Sequence, residues 1–204
     1  MDVAISAMGL LVAAIPLALS AVVIKLTSSG PALFRQLRVG QHGTPFEIYK
    51  LRTMRPQDNA DKITVGRSPR ITPIGHILRA TKIDELPQLI NILKGEMSLV
   101  GPRPEVPEFV AKYPEKDRDL VLSIRPGLTD FASIRFRNEN SLLAAQADPL
   151  AYYEHVILPT KLRYYRFYVS RLSVGLDLYI MFLTARCVIS DLIGRSSQRR
   201  RIVR

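Results

Sequence analysis

The stretch that decides the reading of this chain is Arg79-Ala-Thr-Lys-Ile-Asp84-Glu85-Leu-Pro87-Gln-Leu-Ile-Asn-Ile-Leu93-Lys-Gly95-Glu-Met-Ser-Leu-Val-Gly101-Pro102-Arg103-Pro104-Glu105. Two adjacent carboxylates open a segment in which Leu86, Leu89, Ile90 and Leu93 recur at helical spacing, and Gly95 supplies a stop. The pattern predicts a helix over 85–93 capped by Asp84. An aspartate cap with a first-turn glutamate is common, because both are favourable at the positive end of a helix. Adjacent helical residues point about 100° apart, so the two carboxylates can also divide two tasks. One carboxylate can attack a phosphorus while its neighbour holds a divalent cation.

The cations are placed by turns. Arg103 stands between Pro102 and Pro104, whose rings fix the backbone on both sides of it. Arg79 lies shortly before Asp84, and Arg38, Lys50, Arg52 and Arg125 adjoin glycine- and proline-rich turns. Solvation at the surface is the ordinary reading of any one of these. Their grouping at rigid turns favours anion recognition, since the planar guanidinium pairs with phosphate oxygens two at a time. Neither a Gly-x-x-x-x-Gly-Lys-Ser/Thr loop nor a Gly-x-Gly-x-x-Gly turn occurs, which argues against the standard nucleotide-binding folds. His42, His76 and His155 are scattered and show no metal-ligand spacing, so zinc is not expected.

Outward from this stretch, 204 residues suffice for one domain and an anchor, and 47% apolar residues allow a real core. The single Cys187 excludes an intrachain disulfide and reads as a buried structural thiol, consistent with a reducing, cytosol-facing body. A formal charge of +11 calls for nucleic acid, anionic lipid headgroups or a phosphorylated substrate as partner. Arg186, Arg195, Arg199, Arg200, Arg201 and Arg204 crowd the C-terminal end beside apolar helix. That arrangement suits attraction to an anionic membrane, worth on the order of 1 kcal/mol per basic residue, and a solvated tail is the plainer alternative.

Residues 3–24 carry no charge and include Pro16. A cleaved signal peptide is disfavoured, because no basic residue precedes the apolar run and no small-residue cleavage pattern ends it. Composition alone favours one simple span, with Lys25, Arg35 and Arg38 on the cytoplasmic side. The other reading is a re-entrant segment bent at Pro16, which removes a backbone donor. Thr27-Ser28-Ser29-Gly30-Pro31 ends this segment, and 32–54 reads as two short strands around Gly40 and Gly43. A loop is expected over 55–68, a short helix over 77–79, and further helices over 104–113, 115–123, 141–153, 158–168 and 172–194. The expected class is mainly α with a small β element. The domain plan is an anchor over 1–28, a body over 29–194 and a basic tail over 195–204.

These residues, read together, resemble a known family. Phe34-Arg35-Gln36, Arg38-Val39-Gly40, Ile48-Tyr49-Lys50-Leu51-Arg52-Thr53-Met54, Asp84-Glu85-Leu86-Pro87-Gln88, Lys94-Gly95-Glu96-Met97-Ser98 through Pro104, and Arg125-Pro126-Gly127-Leu128-Thr129 follow in order. The chain resembles, over essentially its whole length, the bacterial sugar transferases of the small monotopic phosphoglycosyl transferase kind. The resemblance implies a re-entrant membrane helix broken at Pro16, a cytosolic α/β catalytic domain with amphipathic interfacial helices, and a place on the cytoplasmic face of the bacterial inner membrane. It further implies transfer of a phosphosugar from a UDP-sugar to polyprenyl (undecaprenyl) phosphate, as the first membrane step of glycoconjugate assembly.

By the same resemblance Asp84 is the nucleophile, Glu85 helps bind Mg²⁺, Arg103 with Pro102 and Pro104 holds the nucleotide end, and Arg79 contacts a phosphate. Lys50, Arg52, Arg38 and Arg125 are the further substrate-binding candidates. Three departures stand out. Ile15 stands where many members have serine, Asp130-Phe131-Ala132-Ser133 replaces Gly-Trp-Ala-Gln, and the chain opens at Met1-Asp2 without the basic lead of many relatives.

Two other readings are set beside this one. A non-catalytic membrane-tethered scaffold of envelope assembly would use the carboxylate pair only as a helix cap. A nucleic-acid-binding protein is suggested by charge alone, and the apolar anchor and lack of a binding motif argue against it. The apolar surface of 172–193 also allows a homodimer through that helix.

Overall fold

The computed structural model describes residues 1–55, 66 and 68–202, so most of the loop expected over 55–68 lies outside the described residues. The architecture is mainly helical with a small β element, as the sequence predicts. Helix α1 (Asp2–Thr27) leads into an antiparallel hairpin of β1 (Leu33–Val39) and β2 (Pro45–Leu51), closed by a 3₁₀ turn Gln41–Gly43. Then come α2 (Pro73–Thr81), a 3₁₀ turn Ile83–Glu85, and α3 (Gln88–Leu93). Strand β3 (Ser98–Val100) pairs in parallel with β4 (Gly127–Thr129), with α4 (Pro107–Val110) and α5 (Glu115–Leu122) in the crossover between them. The remainder is α6 (Phe131–Arg135), α7 (Glu139–Ala144), α8 (Pro149–Tyr152), a π turn Tyr153–Ile157, α9 (Leu158–Val169) and α10 (Val174–Ile202).

Two apolar clusters hold the body. One gathers Phe109, Val121, Leu143, Ile157, Leu162 and Tyr165 beneath α9, and the other joins Ile48, Leu89, Ile92, Met97, Leu99 and Ile180. Helix α1 packs with one stripe only. Its buried Ser6, Ala13 and Ile24 alternate with half-buried Leu10 and Leu17, at helical spacing, against α3, Leu51 and Leu78. The rest of α1 is open: Leu11, Val12, Ile15, Leu19 and Leu26 are exposed. A 26-residue helix this apolar is long enough to cross a membrane, and so much exposed apolar surface belongs in lipid rather than water. The helix runs on through Pro16, whose missing N–H leaves the Val12 carbonyl without its helical donor, and Ser20 Oγ donates to the Pro16 carbonyl at 2.7 Å.

Both ends of α1 are tied to the body. At the first turn, Asp2 Oδ2 accepts from Ser98 Oγ at 2.7 Å and lies 3.5 Å from Arg125. At the other end, the Arg52 guanidinium donates to the Ser28 carbonyl at 2.9 Å and to the Ser29 carbonyl. These clasps are about 39 Å apart along the helix axis, at 1.5 Å for each of its 26 residues.

Several expected elements take other bounds. The predicted helix over 85–93 is a 3₁₀ turn followed by α3, and Asp84 caps nothing with its side chain. Pro87 has no N–H for the Ile83 carbonyl, so Leu86 N takes that carbonyl at 3.2 Å and a regular helix begins only after the proline. Helix α2 starts well before 77, because Thr72 Oγ1 accepts from Gly75 N at 3.0 Å and Pro73 fits the first turn. Helix α4 covers only part of 104–113, since Val106 is extended, Pro107 fits the first turn, and the Glu105 carbonyl before them is taken by Val39 N at 3.0 Å. The helix expected over 141–153 divides into α7 and α8 where Asp148 Oδ1 caps Ala151 N at 2.9 Å. Helix α10 extends past the expected end at 194.

Candidate active site

The site is built by four short segments, each positioned for a local reason. The hairpin register sets Phe34 opposite Lys50 and Arg38 opposite Phe46, so Phe34, Arg38 and Lys50 share one face. Asn91 of α3 locks the hairpin in place: its Oδ1 accepts from Tyr49 N at 3.1 Å and its Nδ2 donates to the Glu47 carbonyl at 2.7 Å. This carries Lys50 over the 3₁₀ turn that holds the carboxylate pair. Arg79 arrives from α2, and that helix sits close because Gly75 lacks a side chain; a Cβ there would meet the Thr53 carbonyl oxygen at 2.1 Å. Arg79 Nε donates to Thr53 Oγ1 at 2.9 Å.

The Pro-Arg-Pro turn is stitched to the Arg-Pro-Gly turn backbone to backbone. Gly127 N donates to the Pro102 carbonyl at 2.9 Å, and a Cβ on Gly127 would lie 2.1 Å from Gly101 N. The two glycines of these motifs thus allow the close approach that aims Arg103 inward. The Arg103 guanidinium donates to Glu85 Oε1, and Lys50 Nζ donates to the same oxygen at 2.9 Å.

The two carboxylates therefore differ. Burial pushes the Glu85 carboxyl up, but Arg103 and Lys50 outweigh it and hold the group well below the usual carboxylate range. Asp84, only 7% exposed, is pushed up by burial and by the neighbouring Glu85 charge. Its Oδ1 is buried without a hydrogen-bond partner among the described residues, although Arg79, Lys50 and Lys82 are close enough to act on its charge. Burial also lowers the Lys50 ammonium to about 8. An ionised glutamate with fixed partners thus stands beside a buried aspartate whose Oδ1 has no hydrogen-bond partner among the described residues, and both residues border the cavity.

These groups line an open cavity of about 2580 Å³ together with Arg38, Arg70, Glu105, Tyr153 and Lys161. No cluster of three His, Cys, Asp or Glu side chains exists among the described residues. The adjacent pair, both members of which line the cavity, is nevertheless a donor set that fits Mg²⁺, which takes one or two carboxylates and completes its shell from substrate phosphates and water.

The structure brings Asp84, Glu85, Arg79, Lys50, Arg38 and Arg103 together around this cavity. Pro102 and Pro104 serve as backbone acceptors, Pro104 taking Arg38 at 2.9 Å. Arg125 does not join them and pairs with Asp2 on the anchor. Arg52 borders the cavity but spends its guanidinium on the Ser28 and Ser29 carbonyls. Cys187 is a half-buried wall residue 3.8 Å from Arg137, rather than a core thiol, because α10 turns that side toward the cavity.

A buried polar group was not legible. Glu105 Oε1 accepts from Tyr153 at 2.6 Å and lies 3.5 Å from Lys161, which also reaches Glu139 at 2.8 Å. Only the position of Glu105, directly after Pro-Arg-Pro, hinted at it. Through Glu105 and Pro104 this network buttresses the segment that carries Arg103, with Arg38 3.6 Å from Glu105 Oε2.

Fold and site define a protein with an apolar helix long enough to cross a membrane and a carboxylate pair ringed by cations on a large open cavity. The chain matches the bacterial sugar transferase family over residues 1–191, and it belongs to that family. It is 46% identical over 132 residues, 58% of this chain and 46% of the relative, to the UDP-glucose:undecaprenyl-phosphate glucose-1-phosphate transferase of Caulobacter vibrioides. It is 34% identical over 188 residues (90% of this chain, 38% of the relative) to the protein of the same name in Escherichia coli. To the UDP-N-acetylgalactosamine-undecaprenyl-phosphate N-acetylgalactosaminephosphotransferase of Aeromonas hydrophila it is 34% identical over 183 residues, 86% of this chain and 40% of the relative. The chain thus spans less than half the length of these three relatives.

Proposed function

We propose that this protein transfers a sugar 1-phosphate from a nucleotide diphosphate sugar, with a UDP-sugar as donor, to polyprenyl phosphate. The observation that carries the reading is the unpartnered, buried Asp84 oxygen beside a Glu85 whose charge Lys50 and Arg103 already balance. A scaffold gains nothing from a buried carboxylate oxygen without a hydrogen bond, which is costly unless it meets a ligand.

In this reading an Asp84 oxygen attacks the sugar-bearing phosphorus. A bond forms between that oxygen and phosphorus, the bridging P–O bond breaks, and its electron pair leaves with the nucleoside monophosphate. An oxygen of the polyprenyl phosphate then attacks the same phosphorus, and the Asp84 carboxylate is released unchanged. Asp84 and Glu85 are the residues that would hold Mg²⁺, which supplies neutralisation of the diphosphate charge when bound. Arg103 and Lys50 hold Glu85 in place and add positive charge where the leaving phosphate departs. Arg79, fixed by Thr53, offsets the repulsion between Asp84 and the incoming phosphate.

The same proposal puts the protein monotopically on the cytoplasmic face of the bacterial inner membrane. A helix crossing the bilayer would part its two ends by the whole membrane, yet Asp2 and Ser28 both bind the same body. A re-entrant α1 bent at Pro16 would also keep both ends on one side, but it would have to release one clasp, since the two stand about 39 Å apart on a helix that runs on through Pro16. Relatives carry names with different sugars, glucose and N-acetylgalactosamine, so the sugar of this protein is a matter for the assay.

The test is intact-protein mass spectrometry of detergent-solubilised protein with Mg²⁺ and a panel of UDP-sugars, without polyprenyl phosphate. A mass gain of one phosphosugar, absent in Asp84→Asn, is expected and names the sugar at once. UMP release that requires polyprenyl phosphate, with no adduct for any donor, would sink the covalent step and leave direct transfer.

A further inference from the structure

Helix α2 ends at Thr81, and one residue turns the chain from it into the 3₁₀ turn that holds the carboxylate pair. That residue is Lys82, with φ 60° and ψ 13°, in the left-handed region. Its carbonyl accepts from Glu85 N at 3.2 Å, which closes the turn. Glycine or asparagine is the usual choice for such a backbone, because a Cβ crowds the following carbonyl oxygen there. A lysine held in this conformation next to the carboxylate pair is strain stored at a candidate active site. The turn needs the conformation and not the side chain, so the ammonium calls for its own account.

The cations already assigned to the site are committed to protein groups. Lys50 and Arg103 donate to Glu85, Arg79 donates to Thr53, and Arg38 donates to the Pro104 carbonyl and to Gln36. Lys82 lines the same cavity and is exposed. It forms no ion pair and no side-chain hydrogen bond among the described residues. Its ammonium is nevertheless close enough to act on the charge of both Asp84 and Glu85. An exposed lysine is ordinarily a solvated surface group. One that bears on both carboxylates from the wall of the cavity is placed for the anion that meets them.

We propose that Lys82 is a further catalytic residue, whose ammonium pairs with the non-bridging oxygens of the phosphorus under transfer. The inference rests on the transferase reading and adds to it a cation that moves with the reacting group. That phosphorus passes from the nucleotide to Asp84 and from Asp84 to the acceptor, so its oxygens shift between the two half-reactions. A guanidinium pinned by a hydrogen bond serves one position, whereas an ammonium on a flexible stem follows the group. Positive charge already in place at a transferring phosphoryl group lowers the barrier of each step. No bond to Lys82 forms or breaks.

The test is steady-state kinetics of the full chain in lipid nanodiscs with Mg²⁺, undecaprenyl phosphate and the donor the wild type uses. Lys82→Gln is expected to lower kcat/KM for the donor about twentyfold or more, and Lys82→Arg to return it to within about fivefold of wild type. Lys82→Gly is expected to lose as much activity as Lys82→Gln while its thermal midpoint holds or rises, because glycine takes a positive φ without strain. The loss is expected to be the same on the acid limb of the pH profile and on its plateau. A loss confined to the acid limb would mean that Lys82 acts only through Asp84, and would overturn the inference. So would a Lys82→Gln protein within about twofold of wild type, or a Lys82→Arg protein no better than Lys82→Gln. Should Lys82→Gln fold poorly, Lys82→Gly carries the comparison, and a joint loss of stability and activity there would make Lys82 a structural residue. In each of these cases the transferase reading stands. A wild type that makes neither adduct nor product with any donor would remove that reading and the inference together.

Discussion

Lys50 Nζ donates to Glu85 Oε1 across 2.9 Å, and Arg103 donates to the same oxygen, so Glu85 has two cation partners while Asp84 Oδ1 has no hydrogen bond among the described residues. Arg103 and Lys50 hold the Glu85 carboxyl well below the usual carboxylate range, while burial and the Glu85 charge push Asp84 up.

The pH profile follows. In the proposed reaction Asp84 must be deprotonated to attack, and burial with the Glu85 charge raises its pKa, so kcat/KM is expected to rise through a limb above the ordinary carboxylate range. Lys50 must be protonated to balance Glu85, and burial lowers its pKa from 10.5 to about 8, so activity falls as pH passes about 8. Lys50→Arg keeps its charge throughout this range, and the alkaline limb is expected to disappear below about pH 10. A pH–rate series on both proteins decides it; an unmoved alkaline limb would remove Lys50 from the account.

Asp84→Asn separates chemistry from structure. Turnover is expected to fall about 10³-fold or more, as for the loss of a nucleophile. The midpoint of thermal unfolding is expected to hold or rise, because a buried carboxylate beside another carboxylate is removed. Activity and unfolding measured on one preparation test this. A fall of several degrees would mark Asp84 as a structural residue.

Arg52→Ala tests the clasp at the end of α1. The change leaves the Ser28 and Ser29 carbonyls without their donor and is expected to cost about 1–3 kcal/mol of stability. The KM for the donor is expected to stay put, since the guanidinium is committed to the anchor. A large rise in donor KM without loss of stability would return Arg52 to the phosphate-binding set.

Cysteine accessibility tests the placement of α1. In a Cys187→Ser background, Asp2→Cys and Ser28→Cys are both expected to react with an impermeant thiol reagent in inverted membrane vesicles and not in intact spheroplasts. Reaction of position 2 from the periplasmic side alone would establish a simple span.

Much of the fold could be read locally. The apolar run of α1, the hairpin around Gly40 and Gly43, and the stop at Gly95 follow from periodicity and turn chemistry, which act over a few residues. The Asp-Glu pair and the Pro-Arg-Pro turn were legible for the same reason, since both are contiguous motifs. The 3₁₀ turn at Asp84 was misread as a helix cap because a carboxylate before an apolar periodic segment looks alike in both, and the missing donor of Pro87 decides between them.

The sequence by itself determined the long apolar N-terminal helix, the family and the contiguous carboxylate and arginine motifs. Only the tertiary structure decided which cation serves which anion. Arg52 and Lys50 lie two residues apart, yet one reaches back 23 residues to the end of the anchor and the other forward 35 to Glu85. Asp2 meets Ser98 across 96 residues, and Glu105 finds Tyr153 across 48. A charged side chain carries no mark of its partner in the chain. Its partner is set by distance and burial, and both exist only once the strands and helices have packed.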